Sequence, residues 1–168
     1  MRVVVTGSRD WRDGRAIQRA LAALIDRAPV TIVHGDARGA DRLADHAAHV
    51  LERWGYRVER FPADWRTHGR AAGPIRNRQM LEAGADAVFA FPMPGSRGTL
   101  DCMIEAHRRG IPVWIWTAER MKRWGPHEED TLMSRTPEDE EEHLPPDDEE
   151  QEIENEEEAE PSAPKHPK

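Results

Sequence analysis

Along the first 120 residues, short runs rich in β-branched residues alternate with longer segments of helical spacing, and Gly, Pro or a capping residue marks each changeover. Arg2 to Thr6 (RVVVT) reads as a buried strand. From Asp13 to Arg27, the residues Ile17, Leu21, Leu24 and Ile25 share one helical face, and Pro29 follows the segment. Val30 to His34 (VTIVH) predicts a second strand. A second helix is expected from about Arg38 to Trp54, with Leu43, Ala44, Ala47, Val50, Leu51 and Trp54 at helical spacing, and Gly55 ends it. Tyr56 to Phe61 (YRVERF) alternates as a half-exposed edge strand does. After a polar loop, Pro74 suits the first turn of a third helix carrying Ile75, Met80 and Leu81 towards Gly84. Asp86 to Phe91 (DAVFAF) predicts a fourth strand, Thr99 to Arg109 a helix stopped at Gly110, and Pro112 to Thr117 (PVWIWT) a fifth strand.

Strands joined through helices pair in parallel, because the right-handed crossover is by far the favoured connection. The expected fold is therefore α/β, a Rossmann-like three-layer domain with a mainly parallel five-stranded sheet over residues 1–120. Charge marks the same boundary. Through Arg120, 19 Arg face 14 Asp and Glu, a net of +5, whereas beyond it 5 basic residues face 18 acidic ones, a net of −13. From Glu138 to Glu160, 15 of 23 residues are acidic, with prolines interspersed and almost nothing apolar to bury. This predicts a linker at 121–137 and a disordered acidic tail at 138–168, available to a basic partner.

The single cysteine, Cys102, excludes an intramolecular disulfide framework and a cysteine-only metal cluster. No apolar run approaches the ~18 to 20 residues of a membrane span, and the segment before Gly7 is too short for a signal sequence. The expectation is a cytoplasmic protein without a membrane partner.

In sheets of this class ligands bind at the carboxyl ends of the strands, so the loops there carry the chemistry. The first, Gly7-Ser8-Arg9-Asp10-Trp11, offers a glycine for close approach, a hydroxyl, a guanidinium for phosphate and an indole for stacking. An ordinary strand-to-helix turn, with Trp11 covering the core edge, is the alternative. In the second, His34 to Asp41 (HGDARGAD), Gly35 and Gly39 crowd the entry to a helix, and Asp41 lies where its charge suits the helix dipole. His34 and Asp36 form too sparse a pair to predict a metal, and no metal or cofactor is expected. The absence of lysine before Lys122 excludes a P-loop phosphotransfer site.

The third segment, Gly73 to Met80 (GPIRNRQM), places Arg76 and Asn77 in the first turn of its helix, where an anion would relieve the conflict between cation and dipole. Solvation or pairing of Arg76 and Arg78 with Asp64 or Glu82 is the plainer account. The fourth, Pro92 to Cys102 (PMPGSRGTLDC), is the most specific: Gly95 and Gly98 flank a bend, Ser96 adds a hydroxyl, and Thr99 is a good N-cap. A simply capped helix needs Thr99 alone. Asp101 suits a ribose hydroxyl, a general base, or merely the dipole.

Together, GSRDW at 7–11, HGDARGAD at 34–41, GPIRNRQM at 73–80 and GSRGTLDCMIEA at 95–106 resemble the YspA-type, cpYpsA-related branch of the SLOG superfamily. The resemblance implies a Rossmann-like domain associated with nucleotides and nucleotide-derived ligands, often a sensor in defence or signalling, and often self-associating as a homo-oligomer. More distantly, the chain is similar to the Lonely Guy group, whose PGGxGTxxE loop serves hydrolysis of the bond between base and ribose phosphate. Gly95, Gly98 and Thr99 carry over, but the second glycine is Ser96 and the catalytic glutamate position is Cys102.

The leading expectation is thus a nucleotide-binding sensor whose ligand contacts Gly7, Ser8, Arg9, Trp11, Gly35, Gly39, Asp41, Arg76, Asn77, Gly95, Ser96, Gly98, Thr99 and Asp101. An N-glycosidase is the alternative, with Asp101 or Glu105 and Arg76 as its catalytic groups. A third reading is nucleic-acid binding with the acidic tail as competitor, since DprA-type relatives bind DNA. The modest +5 charge and the lack of a base-reading motif argue against it.

Overall fold

In the computed structural model, which describes residues 1–117 and 120–125, six strands form one sheet in the order β3-β2-β1-β4-β5-β6. They are β1 (Arg2–Gly7), β2 (Val30–His34), β3 (Tyr56–Arg60), β4 (Ala87–Phe91), β5 (Val113–Thr117) and β6 (Arg120–Arg123). The helices are α1 (Gly14–Ala22), α2 (Ala40–Val50), α3 (Trp65–His68), α4 (Ala72–Glu82) and α5 (Arg97–Arg108). All described residues belong to one compact unit.

Strand periodicity divides the core into two layers. Val3 and Val5 of β1 face Ile17, Leu21 and Ala44 of α1 and α2, joined there by Phe89 and Phe91 of β4. Val4 points the other way, with Val88, Ala90, Met80 of α4 and Met103 of α5. Central strands buried on both faces read as continuous apolar runs, and β4 is buried at every position. Tyr56 anchors the edge strand β3, its hydroxyl donating to the Leu21 carbonyl at 2.6 Å.

The five expected strands are present and pair in parallel, and Tyr56–Arg60 lies at an edge as its alternation implies. Several boundaries differ. The first helix ends at Ala22 and continues only as a 3-10 turn at Ile25–Arg27, so it is shorter than Asp13 to Arg27. The second starts at Ala40, not Arg38, because Gly39 sits at φ 75°, outside the helical region, and only a 3-10 turn at Glu52–Trp54 extends it. Of the apolar residues at helical spacing there, Val50 and Trp54 are exposed. The polar loop before Pro74 contains α3 and a 3-10 turn, and α4 begins two residues ahead of that proline.

The sixth strand is the largest difference. Arg120–Arg123 runs antiparallel along β5, with Trp114 opposite Arg123 and Thr117 opposite Arg120. RMKR has no apolar alternation to announce a strand; the open edge of β5 supplies its partner. The segment expected to be a linker from residue 121 therefore begins in the sheet, and Trp124 beyond it is buried against His107. The remainder of that segment and the acidic run at 138–168 lie outside the described residues.

Candidate functional site

Strand order reverses between β1 and β4, which places the crevice of a doubly wound sheet beside their carboxyl ends. Gly7 and Phe91 are level across this pair, and the Ser8 amide donates to the Phe91 carbonyl at 3.0 Å. The loops following β1, β2 and β4 thus meet at one edge.

A polar chain connects the residues there. Asp41, 6% exposed at the start of α2, accepts from the amides of Gly35 (2.9 Å) and Ala37 (3.3 Å) through one carboxylate oxygen. These bonds fix the turn after β2 and leave the Gly35 carbonyl to accept from Arg76 Nη1. Arg76 Nε donates to Asn77 Oδ1 at 3.2 Å, and the buried Asn77 amide nitrogen donates to the Gly98 carbonyl (3.2 Å) and to Asp101 Oδ2 (3.1 Å). Burial raises the Asp41 carboxyl above its ordinary value, opposed by the Arg76 charge and by the two amides. The network joins Gly35, Asp41, Arg76, Asn77, Gly98 and Asp101, all expected from sequence. Arg76 is the fifth residue of α4 rather than a first-turn residue, so its guanidinium serves a backbone carbonyl and not the helix dipole.

The glycines fall into two groups. A Cβ on Gly7 would strike the Phe91 carbonyl oxygen and the Ala40 side chain; one on Gly35 would enter the Arg76 guanidinium; one on Gly39 would meet the Ser8 and Arg9 carbonyls. At these three positions the lack of a side chain accommodates protein atoms. Gly95 and Gly98 have nothing within 4 Å of the corresponding position. They flank the start of α5, where Gly95 turns at φ 80°.

The helix starts at Arg97, so Thr99 is not the N-cap; Ser96 is, and its hydroxyl oxygen accepts from Met93 N at 3.0 Å instead of capping. Thr99 is buried in the first turn. Arg97 N donates to Gly95 O (2.8 Å) and Leu100 N to Ser96 O (3.0 Å), which leaves the intervening amides of Gly98 and Thr99 without an intrahelical acceptor.

In the loop after β1, Ser8 is buried and its hydroxyl oxygen accepts from Asp10 N at 3.1 Å. Trp11 packs edge-on to Phe91 with centroids 5.4 Å apart and donates through Nε1 to the Asp13 carbonyl, so it covers the core edge. Arg9 reaches the rim, its guanidinium carbon 5.5 Å from the centroid of Trp65.

Of the candidate catalytic carboxylates, Asp101 is exposed beside Asn77, and Glu105 instead pairs with Arg109 at 2.8 Å, which also reaches Glu82. Burial pushes the Cys102 thiol up to about 12 despite a hydrogen bond with Thr6, so at neutral pH this position holds a neutral group where a carboxylate would be needed. His34 is fully buried: Nδ1 accepts from Asp36 N at 3.0 Å, so Nε2 carries the proton towards Asp45 at 2.9 Å. Asp45 is partly buried, which raises its pKa, but hydrogen bonds from Arg60 and His34 outweigh this and hold it below the ordinary range. This His34–Asp45–Arg60 cluster was not foreseen; its members lie on β2, α2 and β3, and no local spacing relates them. Among the described residues no group of three His, Cys, Asp or Glu is placed to hold a metal, and no helix is long and apolar enough to cross a membrane.

The Gene 61 protein of Mycobacterium phage D29 is 47% identical over 116 residues, covering 67% of this chain and 93% of that protein. Among solved structures, DNA processing protein A (DprA) from Streptococcus pneumoniae is similar with a TM-score of 0.52 at 19% identity. The match covers 68% of this chain and 49% of that one, so the chain spans about half the length of DprA, and the likeness is one of fold. Residues 1–68 match the YspA, cpYpsA-related SLOG family. With these sequence matches and the reversal of strand order beside a glycine-bearing helix start, the chain belongs to the YspA, cpYpsA-related SLOG family, a membership consistent with nucleotide-related binding.

Proposed function

We propose that the protein binds a nucleotide or nucleotide-derived ligand at the carboxyl edge of the sheet, as a sensor or signalling module. The observation that carries this reading is the start of α5 beside the β1/β4 reversal, where the Gly98 and Thr99 amides lack intrahelical acceptors and a Cβ on Gly95 or Gly98 would meet open space. Such a helix start suits a phosphate. Asp101, exposed one turn along and oriented by Asn77, suits a ribose hydroxyl. Arg76, fixed by the Gly35 carbonyl, and Arg9 at the rim supply positive charge around the anion.

The test is native mass spectrometry of the full chain with mixed nucleoside phosphates, NAD and ADP-ribose. An adduct of intact ligand mass is expected, weakened several-fold or more in Arg9→Glu and Arg76→Glu, since charge-assisted hydrogen bonds contribute ~1.5 to 3 kcal/mol each. No adduct with any compound, or unchanged affinity in both variants, would remove the site. Loss of the base mass would favour the N-glycosidase instead, against the neutral thiol at Cys102.

A second reading, contact with DNA, draws on the fold shared with DNA processing protein A and on the exposed Arg66 and Arg70 at the same edge. Salt-sensitive binding of a labelled single-stranded oligonucleotide that nucleoside phosphates do not displace would support it. Its absence after removal of the acidic run at 138–168 would end it. We propose that the acidic run at 138–168 contacts a basic partner.

A further inference from the structure

Six tryptophans occur in the chain, and four of them, Trp11, Trp114, Trp116 and Trp124, pack against the two core layers. Trp54 is exposed beside Arg53 in the turn leading into β3, at the amino edge of the sheet. Trp65 belongs to neither core layer and stands at the carboxyl edge. It opens α3, a four-residue helix with no buried residue, whose shape is held by its cap: Asp64 Oδ1 accepts from Thr67 N at 3.0 Å. An indole on such an element contributes little to the core, and its surroundings are those of the ligand site.

Two contacts fix the ring. Its Cη2 atom lies 3.5 Å from where a Cβ on Gly73 would stand, so the indole rests over the first turn of α4, one turn ahead of Arg76. The Arg9 guanidinium, from the loop at the strand-order reversal, lies over the ring at 5.5 Å from its centroid. The Arg9 backbone is braced in turn by Gly39, which has no room for a side chain beside the Arg9 carbonyl. A flat aromatic surface and a flat cation are thus held by separate elements beside the first turn of α4, the helix that is tied through Asn77 to Gly98 and Asp101 of α5.

We propose that Trp65, together with Arg9, is the platform that stacks the nucleobase, so that the ligand of this site carries an intact aromatic base as well as its phosphate. This rests on the nucleotide-binding reading. The phosphate end is recognised by backbone and by charge, which do not distinguish a nucleotide from a bare sugar phosphate; the indole does so through the π-face that every base presents. Trp65 is then a specificity-determining residue.

The experiment compares AMP, GMP, CMP and UMP with ribose 5-phosphate by calorimetry on the full chain, in the wild type, Trp65→Phe and Trp65→Ala. In Trp65→Ala, affinity for the bound nucleotide should fall on the order of 10-fold or more, with that for ribose 5-phosphate unchanged and Trp65→Phe retaining most of the preference. An unchanged ratio of nucleotide to sugar-phosphate affinity in Trp65→Ala, whether neither affinity moves or both fall together, overturns the platform. Wild-type protein that binds no probe overturns the underlying site as well, which separates the two failures. Because Trp65 lies outside both core layers, all three proteins should share one urea midpoint.

Discussion

Gly98→Ala separates a glycine retained for a ligand from one retained for the fold. Beyond its own helix backbone and chain neighbours, a Cβ at this position would meet nothing within 4 Å, and Gly98 lies inside α5 without a positive φ. Replacing such a residue by alanine restricts the unfolded chain and favours the helix by about 0.4 to 1 kcal/mol. For a unit of this size that corresponds to a rise of about 1 to 4 °C in Tm. The same methyl would project where the Gly98 and Thr99 amides open, so affinity for the nucleotide found by mass spectrometry should fall at least several-fold. Stability and binding therefore move in opposite directions. Gly39→Ala is the control: its Cβ would meet the Ser8 and Arg9 carbonyls at φ 75°, so both Tm and binding should drop. Differential scanning fluorimetry and calorimetry on the full chain provide the two readouts. A more stable Gly98→Ala with undiminished affinity would refute the assignment of this helix start to the ligand, and a destabilised one would refute the absence of neighbours.

Three further outcomes follow from the same geometry. Burial raises Asp41 above its usual 3.8, so the folded chain holds that proton more tightly than the unfolded chain. Its contribution to stability is then greatest below about pH 4 and declines as pH rises through the folded value; Asp41→Asn removes the slope, and its urea midpoint should gain on the wild type as pH rises above about 4, a constant difference counting against this. Cys102, with its thiol raised to about 12, should resist a thiol reagent at pH 8 in the folded chain and react fully after denaturation, so rapid labelling of native protein would contradict its burial. Tyr56→Phe removes the hydroxyl that donates to the Leu21 carbonyl; that carbonyl keeps a bond from Leu24 N, so the loss should be only about 0.5 to 1.5 kcal/mol by urea titration, and no measurable loss would discount the bond.

The α/β alternation, the five parallel strands and the loops after β1, β2 and β4 at one edge were legible in sequence because each depends on neighbouring residues: VVV and AVFAF are apolar without interruption, and Gly55 and Gly110 end what precedes them. Arg76, Asn77 and Asp101 could be named as a polar set for the same reason, since their types stand out against a helical pattern. What each does was decided by residues far away in the chain. Gly35 is small because Arg76, 41 residues later, fills the space beside it, whereas a Cβ on Gly95 or Gly98 would meet open space. Trp11 was free to be a stacking face until Phe91 covered it, and Trp65 acquired its surroundings from Arg9 and Gly73. The strand at Arg120–Arg123 has no pattern of its own, because an edge strand takes its hydrogen bonds from a neighbour and requires little apolar alternation. Local periodicity thus determined which elements form and roughly where, whereas the identity of each glycine's neighbour, the pairing of β6 and the partners of each charged group depended on contacts between distant segments, which exist only once the sheet has assembled.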